Sequence, residues 1–389
     1  MIRSGNKGFG PWSTAAMFVS VAMLAAACSG GDSEQGADVD DGVTSTIQSA
    51  PNESTSDWDA VVEAAGEEGE VVFYTSQTDQ VIASIEEAFE AEYPEIDLVG
   101  LRTLGGELVT RVEQEQATNA DGADVIVGSD PAFMRSVDES GGLLAIQSPM
   151  IEERASLFEA HPLLHPSDNR VIFSAEGYWL TWNTDLVEEP IVDYADFVER
   201  GDEFSGAFGI PDLFSPSVPI FYTHVAEGMD DIDMPQSLED DGEIERSDYL
   251  EGIAELEPRF YESAVPLAQA VASGEIKAGW FSIASTIDTL KSEGAPIEAV
   301  LSEDAPTAAS MTMGVTSWSK RTNAAQLLVD FLLSDDGQNA ANSHMNLGLL
   351  DGIEGGAGGP DLMALPRDEV LDPAYSDAFV SYWREVFGR

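Results

Sequence analysis

Three polar runs stand at equivalent places early in the chain: Thr75-Ser76-Gln77-Thr78-Asp79, then Gly105-Gly106-Glu107, then Ser129-Asp130. Their hydroxyls, carboxamide, carboxylates and bare glycine backbone suit hydrogen bonding to a small solute better than bond breaking. Ser, Thr and Asp are also the usual N-caps of helices, so each residue taken singly has a structural role open to it. Catalysis lacks its customary parts, for there are one cysteine and four histidines and no Gly-x-Ser-x-Gly leading from strand to helix. His161 and His165 have the spacing of two ligands on a metal-binding helix, but Pro162 and Pro166 follow them and would break it, so no metal is expected there. Carboxylates are too numerous for one pair to stand out as acid and base. A secreted hydrolase of carbohydrate or phosphoester is the competing class.

The elements around these runs explain their recurrence. A helix is predicted over 58–67, then a strand over 70–74, and a helix over 80–93 with Val81, Ile82, Ile85, Ala88 and Phe89 on one face, stopping at Pro94. A strand over 96–101, a helix to about Gln116, a strand over 123–127 and a helix through Val137 complete the pattern. Strands alternating with helices imply an α/β fold with a parallel sheet covered on both faces. In such a sheet solutes gather at the carboxyl ends of the strands, where helix N-termini present free N–H groups. All three polar runs fall on that rim, which makes Thr75, Ser76, Gln77, Gly105, Gly106, Glu107, Ser129 and Asp130 candidate ligand contacts.

The N-terminus carries Arg3 and Lys7, an apolar run over 15–27 broken only by Ser20, and then Cys28 before Ser29-Gly30-Gly31. The run falls short of the roughly 20 residues that span a bilayer and reads as a signal peptide over 1–27. The segment resembles a bacterial lipobox, with Leu24 one place further from the cysteine than is commonest. The resemblance implies a diacylglyceryl group on Cys28, against a plainly cleaved signal or an uncleaved anchor. Residues 28–56 are rich in Gly, Ser, Asp, Thr and Glu, a composition that cannot offset the entropy of ordering, and read as a tether. The 72 acidic residues outnumber 17 basic ones for a net charge of −55, which excludes nucleic acid and anionic membrane surfaces as partners. That charge fits a salt-rich habitat or an ordinary acidic secreted protein.

With these segments in view, the chain resembles an extracellular solute-binding protein of a bacterial ABC importer, of the group that includes ferric-iron and aminoethylphosphonate binders. The pieces are VVFYTSQTD, GGELVTRVEQE, ADVIVGSDPA with GGLLA, LTWNTDLV, VASGEIKAGW, LKSEGAPIEAVLSEDAP and NAAQLLVDFLLSDDGQ, in the family's order. The resemblance implies a type II periplasmic-binding-protein fold, in which two lobes, each a mostly parallel sheet flanked by helices, enclose ligand at a hinge. Lobe one would comprise 57–181 and lobe two 182–307, with 308–389 returning to lobe one. The chain would cross near 180–183 and come back near 307–313.

Lobe two should add the loops after its own strands, offering Ser217, Ser282 and Ser285, while Trp182 and Asn183 stand at the expected crossing. Ferric-iron members carry adjacent tyrosines where this chain has Ala284 and Ser285, so an iron site of that kind is not expected, although Tyr74, Tyr178 and Tyr222 occur elsewhere. Trp179, Trp182, Trp280 and Phe281 could stack on a sugar or face an ammonium group, or could be core. With Glu107 and Asp130 they suit an amine, whereas helix N-termini would suit an oxyanion such as a phosphonate. The reading is a monomeric lipoprotein without cofactor that hands an organic solute to a permease and its ATPase. An iron binder and a sensory lipoprotein are the alternatives.

Overall fold

The computed structural model describes residues 58–389, apart from positions 104, 216, 242 and 364 and the side chains of 239–241. The signal peptide, Cys28 and the tether lie outside the described residues. The strands in chain order are β1 Glu70–Thr75, β2 Asp97–Arg102, β3 Val125–Gly128, β4 Val171–Gly177, β5 Trp179–Asn183, β6 Phe208–Pro211, β7 Arg259–Tyr261, β8 Ala278–Ser282, β9 Ile297–Val300, β10 Ala308–Val315 and β11 Leu347–Gly348. They form two sheets, ordered β11-β4-β10-β3-β1-β2 and β7-β6-β8-β5-β9. Each sheet, with its helices, makes one lobe.

The local chemistry of the first unit shows why the chain folds this way. Thr78 caps the helix Asp79–Glu92 by accepting from the Val81 N–H, and Val81, Ile82, Ile85 and Phe89 are its buried face. That face lies hard on β2, where a β-carbon on Gly100 would meet the Ile82 side chain at 2.2 Å, so only glycine fits. Phe73, Phe89, Phe173, Leu327 and Phe331 share the main lobe-one core, and Phe208, Tyr222, Trp280 and Trp383 that of lobe two. Asp124, fully buried, accepts from the Val72 N–H at 2.8 Å, Ser319 Oγ at 2.7 Å and Arg321 Nε at 2.7 Å, tying the segment after β10 to the edge of β1 and β3.

Three expectations need correction. The sheets are mixed rather than mostly parallel. β1 runs parallel to β2 and β3, and β6 to β7 and β8, but β4, β5 and β10 pair antiparallel. The strands that pass between lobes do not make a helical crossover within one sheet, so nothing constrains them to run parallel. The chain changes sheet at Tyr178, between β4 and β5, so 180–183 is already inside lobe two. There the Tyr178 N–H donates to the Thr307 carbonyl at 2.9 Å and Thr307 Oγ1 donates to the Tyr178 carbonyl at 3.2 Å, which joins the outward and returning connections side by side. Finally, 308–389 does not all complete lobe one. The helix Pro373–Phe387 buries Tyr375, Phe379, Tyr382 and Trp383 in the lobe-two core, with Trp383 5.9 Å from Tyr222 and 5.6 Å from Phe260.

Candidate functional site

A cleft of about 470 Å³ lies between the lobes. Lobe one lines it with the loop after β1 (Ser76, Gln77, Thr78), Arg102 ending β2, Ser129 after β3 and Glu176 near the end of β4, together with His344 and Asn346. Lobe two supplies Ile283, Ala284, Ser285, Asp288 and Thr289 from the start of the helix Ala284–Ser292. Tyr178 belongs to this cleft and to an adjoining chamber of about 230 Å³ lined by Ser129, Asp130, Ser217, Ile220 and Phe221. The helices Asp79–Glu92, Gly105–Thr118, Pro131–Glu139, Ser217–Asp230 and Ala284–Ser292 begin at lining residues or beside them, so the positive ends of their dipoles face the hollow.

Gln77 is only 4% exposed, yet neither its amide oxygen nor its amide nitrogen has a hydrogen-bond partner. A buried amide left unpaired is costly. Burial raises the carboxyl pKa of Glu176, and the charge of Arg102 opposes the rise. Burial likewise pushes the Tyr178 phenol up to about 12, with the Ser217 hydroxyl beside it acting the other way. Phe281, at the end of β8, takes φ +64°, a conformation L-residues adopt rarely, and its ring lies on that of Tyr178.

The structure brings together Ser76, Gln77, Gly105, Ser129 and Ser285 in the cleft and Asp130 and Ser217 in the chamber. Asp130 also caps its helix, accepting from the Ala132 and Phe133 N–H groups. The other six nominated residues do not line either hollow. Thr75 is buried behind its loop, where Oγ1 accepts from the Gln77 N–H at 3.2 Å. Gly106 is exposed beyond Gly105, which takes its place in the cleft, and Glu107 pairs with Arg111 at 3.6 Å on the surface. Trp182 is core, at 7% exposure, because β5 is buried on both faces. Asn183 holds backbone, donating to the Val271 carbonyl at 2.8 Å and accepting from the Asp185 N–H at 3.0 Å, and Ser282 bonds Thr181 at 3.0 Å inside lobe two.

Arg102, the one cation that the sequence places close to a cleft loop, does line the cleft, and the residues missed by sequence reasoning are Glu176, Asp288, His344 and Asn346. Glu176 had a signal available, as the single charge in the run Val171–Gly177. A further hollow of about 490 Å³ contains Arg135, Arg170 and Arg367, but each is ion-paired, with Asp368, Asp138, and Glu227 with Asp233 respectively. Among the described residues no group of three or more His, Cys, Asp or Glu is placed to hold a metal ion.

Two α/β lobes with a polar interlobe cleft define a ligand-capturing protein, and residues 87–348 match the family of bacterial extracellular solute-binding proteins. The chain belongs to that family, as its ordered motifs indicated, and is an exported binding protein for a small solute rather than an enzyme. Its fold is similar to that of iron-bound HitA from Pseudomonas aeruginosa (18% identity, 82% of this chain and 99% of that one, TM-score 0.54). It is also similar to a substrate-binding protein of an ABC transporter from Agrobacterium tumefaciens (16% identity, 82% and 94%, TM-score 0.59). A third likeness is to a putative extracellular solute-binding protein from Bordetella parapertussis (14% identity, 82% and 99%, TM-score 0.60). No curated protein matches the chain. No described helix is long and apolar enough to cross a membrane.

Proposed function

We propose that this protein captures one organic solute between its lobes and delivers it to an ABC permease, held at the membrane by lipid on Cys28. The unpartnered Gln77 carboxamide in the cleft carries the reading, because it calls for a solute with hydrogen-bonding groups of its own. Hydroxyls of Ser76 and Ser129 on one side and Ser285 and Thr289 on the other can bond such a solute together only when the lobes are closed. Closure then converts binding energy into a shape that a permease recognises.

Iron is disfavoured by the donor set, even though HitA is an iron-bound neighbour. Tyr178 is the only tyrosine lining the cleft among the described residues, and burial works against its phenolate. Tyr74 bonds Glu115 at 2.9 Å and Tyr222 bonds the Pro211 carbonyl at 2.6 Å, both inside their lobes. The test is thermal unfolding of the full chain in mild detergent against amines, sugars, organic acids, phosphonates and ferric citrate. A solute at 100 times its dissociation constant adds about 2.7 kcal/mol to the native state. A shift with an organic solute supports this function, and a shift with ferric citrate alone overturns it.

A further inference from the structure

Two carboxylates face the cleft from opposite sides, and neither has a partner. Glu176 comes from β4 of lobe one and Asp288 from the helix Ala284–Ser292 of lobe two, and neither side chain makes a hydrogen bond or ion pair among the described residues. The partnerless Gln77 amide, 4% exposed, lines the same cleft and can turn its oxygen inward as a further acceptor. Among the described residues Arg102 is the only Lys or Arg in the lining, and it is exposed. Burial raises the Glu176 carboxyl pKa and the charge of Arg102 opposes that rise, and a cation bound beside that carboxyl would favour the ionised form further. Like charges on facing lobes oppose closure, and a positive group placed between them turns that repulsion into attraction from both sides.

We propose that the solute is a small organic cation bearing an N–H-rich ammonium group, bound between Glu176 and Asp288 with the Gln77 amide oxygen as third acceptor. This rests on the reading that the cleft takes an organic solute and names its class. A metal cation fits less well, since the described residues group no three metal-ligating side chains. The ammonium acts as the closing signal, because only with it bound do the two acidic groups hold the lobes together. An uncharged molecule of the same size leaves the repulsion in place.

Calorimetric titration of the full chain in mild detergent tests this with ethanolamine and 1,4-diaminobutane as amines, ethylene glycol and glycerol as neutral probes, acetate and methylphosphonate as anions, and ferric citrate. The expected result is tightest binding of an amine, weakened fivefold or more in both Glu176→Gln and Asp288→Asn. Asp288 is exposed, so its variant tests the cleft without threatening the fold. Tightest binding of a neutral or anionic probe, or less than a fivefold effect in either variant, overturns the cation assignment and leaves the organic-solute function standing. Binding of ferric citrate alone, or of no probe, overturns both.

Discussion

Tyr178 and Phe281 lie face to face in the lobe-two core beside the junction of the lobes, ring centroids 3.9 Å apart and planes 17° from parallel. Tyr178 is where the chain leaves the first sheet, and Phe281 closes β8 of the second at φ +64°. Phe221 stands edge-on to Phe281 at 4.9 Å, and Tyr178 lines both the cleft and the adjoining chamber. Replacing Tyr178 by Phe keeps the stack and removes only the hydroxyl, so stability should fall by about 1 kcal/mol or less. Tyr178→Ala removes a buried ring and should cost about 3–5 kcal/mol. Urea midpoints of the two variants check this, and equal midpoints would show that the stack contributes nothing.

The Asp124–Arg321 pair makes a second prediction. Arg321→Met leaves a fully buried carboxylate without its cation and should cost about 3–5 kcal/mol. Arg259→Met breaks an exposed pair with Glu275 and should cost under about 1 kcal/mol. Chemical unfolding compares them directly.

Stability should depend on pH through two residues of one helix, with opposite signs. Burial raises the Glu227 carboxyl to about 7 despite its contact with Arg367 at 2.6 Å, while burial, helped by the charge of Arg367, lowers His224 to about 4. Between the ordinary carboxyl value and 7 the folded state holds the Glu227 proton more tightly, so this contribution is lost as pH rises. His224 is protonated more readily in the unfolded chain, so its contribution is lost as pH falls from its ordinary value toward 4. In the acidic range the two oppose each other. Relative to the wild type, Glu227→Gln should make stability rise more steeply with pH, and His224→Gln should make it fall, measured by urea titration in steps from pH 4.5 to 7.5.

A net charge of −55 should make stability strongly salt-dependent. Raising salt from 0.1 M to 1 M shortens the screening length from about 10 Å to about 3 Å. The melting temperature should climb over that range, and no change would rule out self-repulsion as a major term.

The rim of the first three β-α units was legible because alternating apolar and polar stretches, a cap at Thr78 and a break at Pro94 are written locally. Gln77 and Ser129 followed from it. Trp182 misled because the five residues of β5 are all buried, so no alternation distinguished a cleft face from a core face. Asp288 was obscured by the 72 acidic residues, among which a lobe-facing carboxylate has no local mark. The spacing of Tyr375, Phe379, Tyr382 and Trp383 announces a one-faced helix, but only tertiary packing decides which lobe receives that face.

That helix gives the molecule an order of completion. Lobe two begins with β5 and β6 yet lacks Trp383 until the helix Pro373–Phe387 is in place. An exported chain passing through the membrane N-terminus first can set β1, β2 and β3 of lobe one while lobe two still waits for its closing piece. A chain without this one helix would leave Tyr222 and Phe260 without Trp383 against them, an aromatic surface of the kind that invites association.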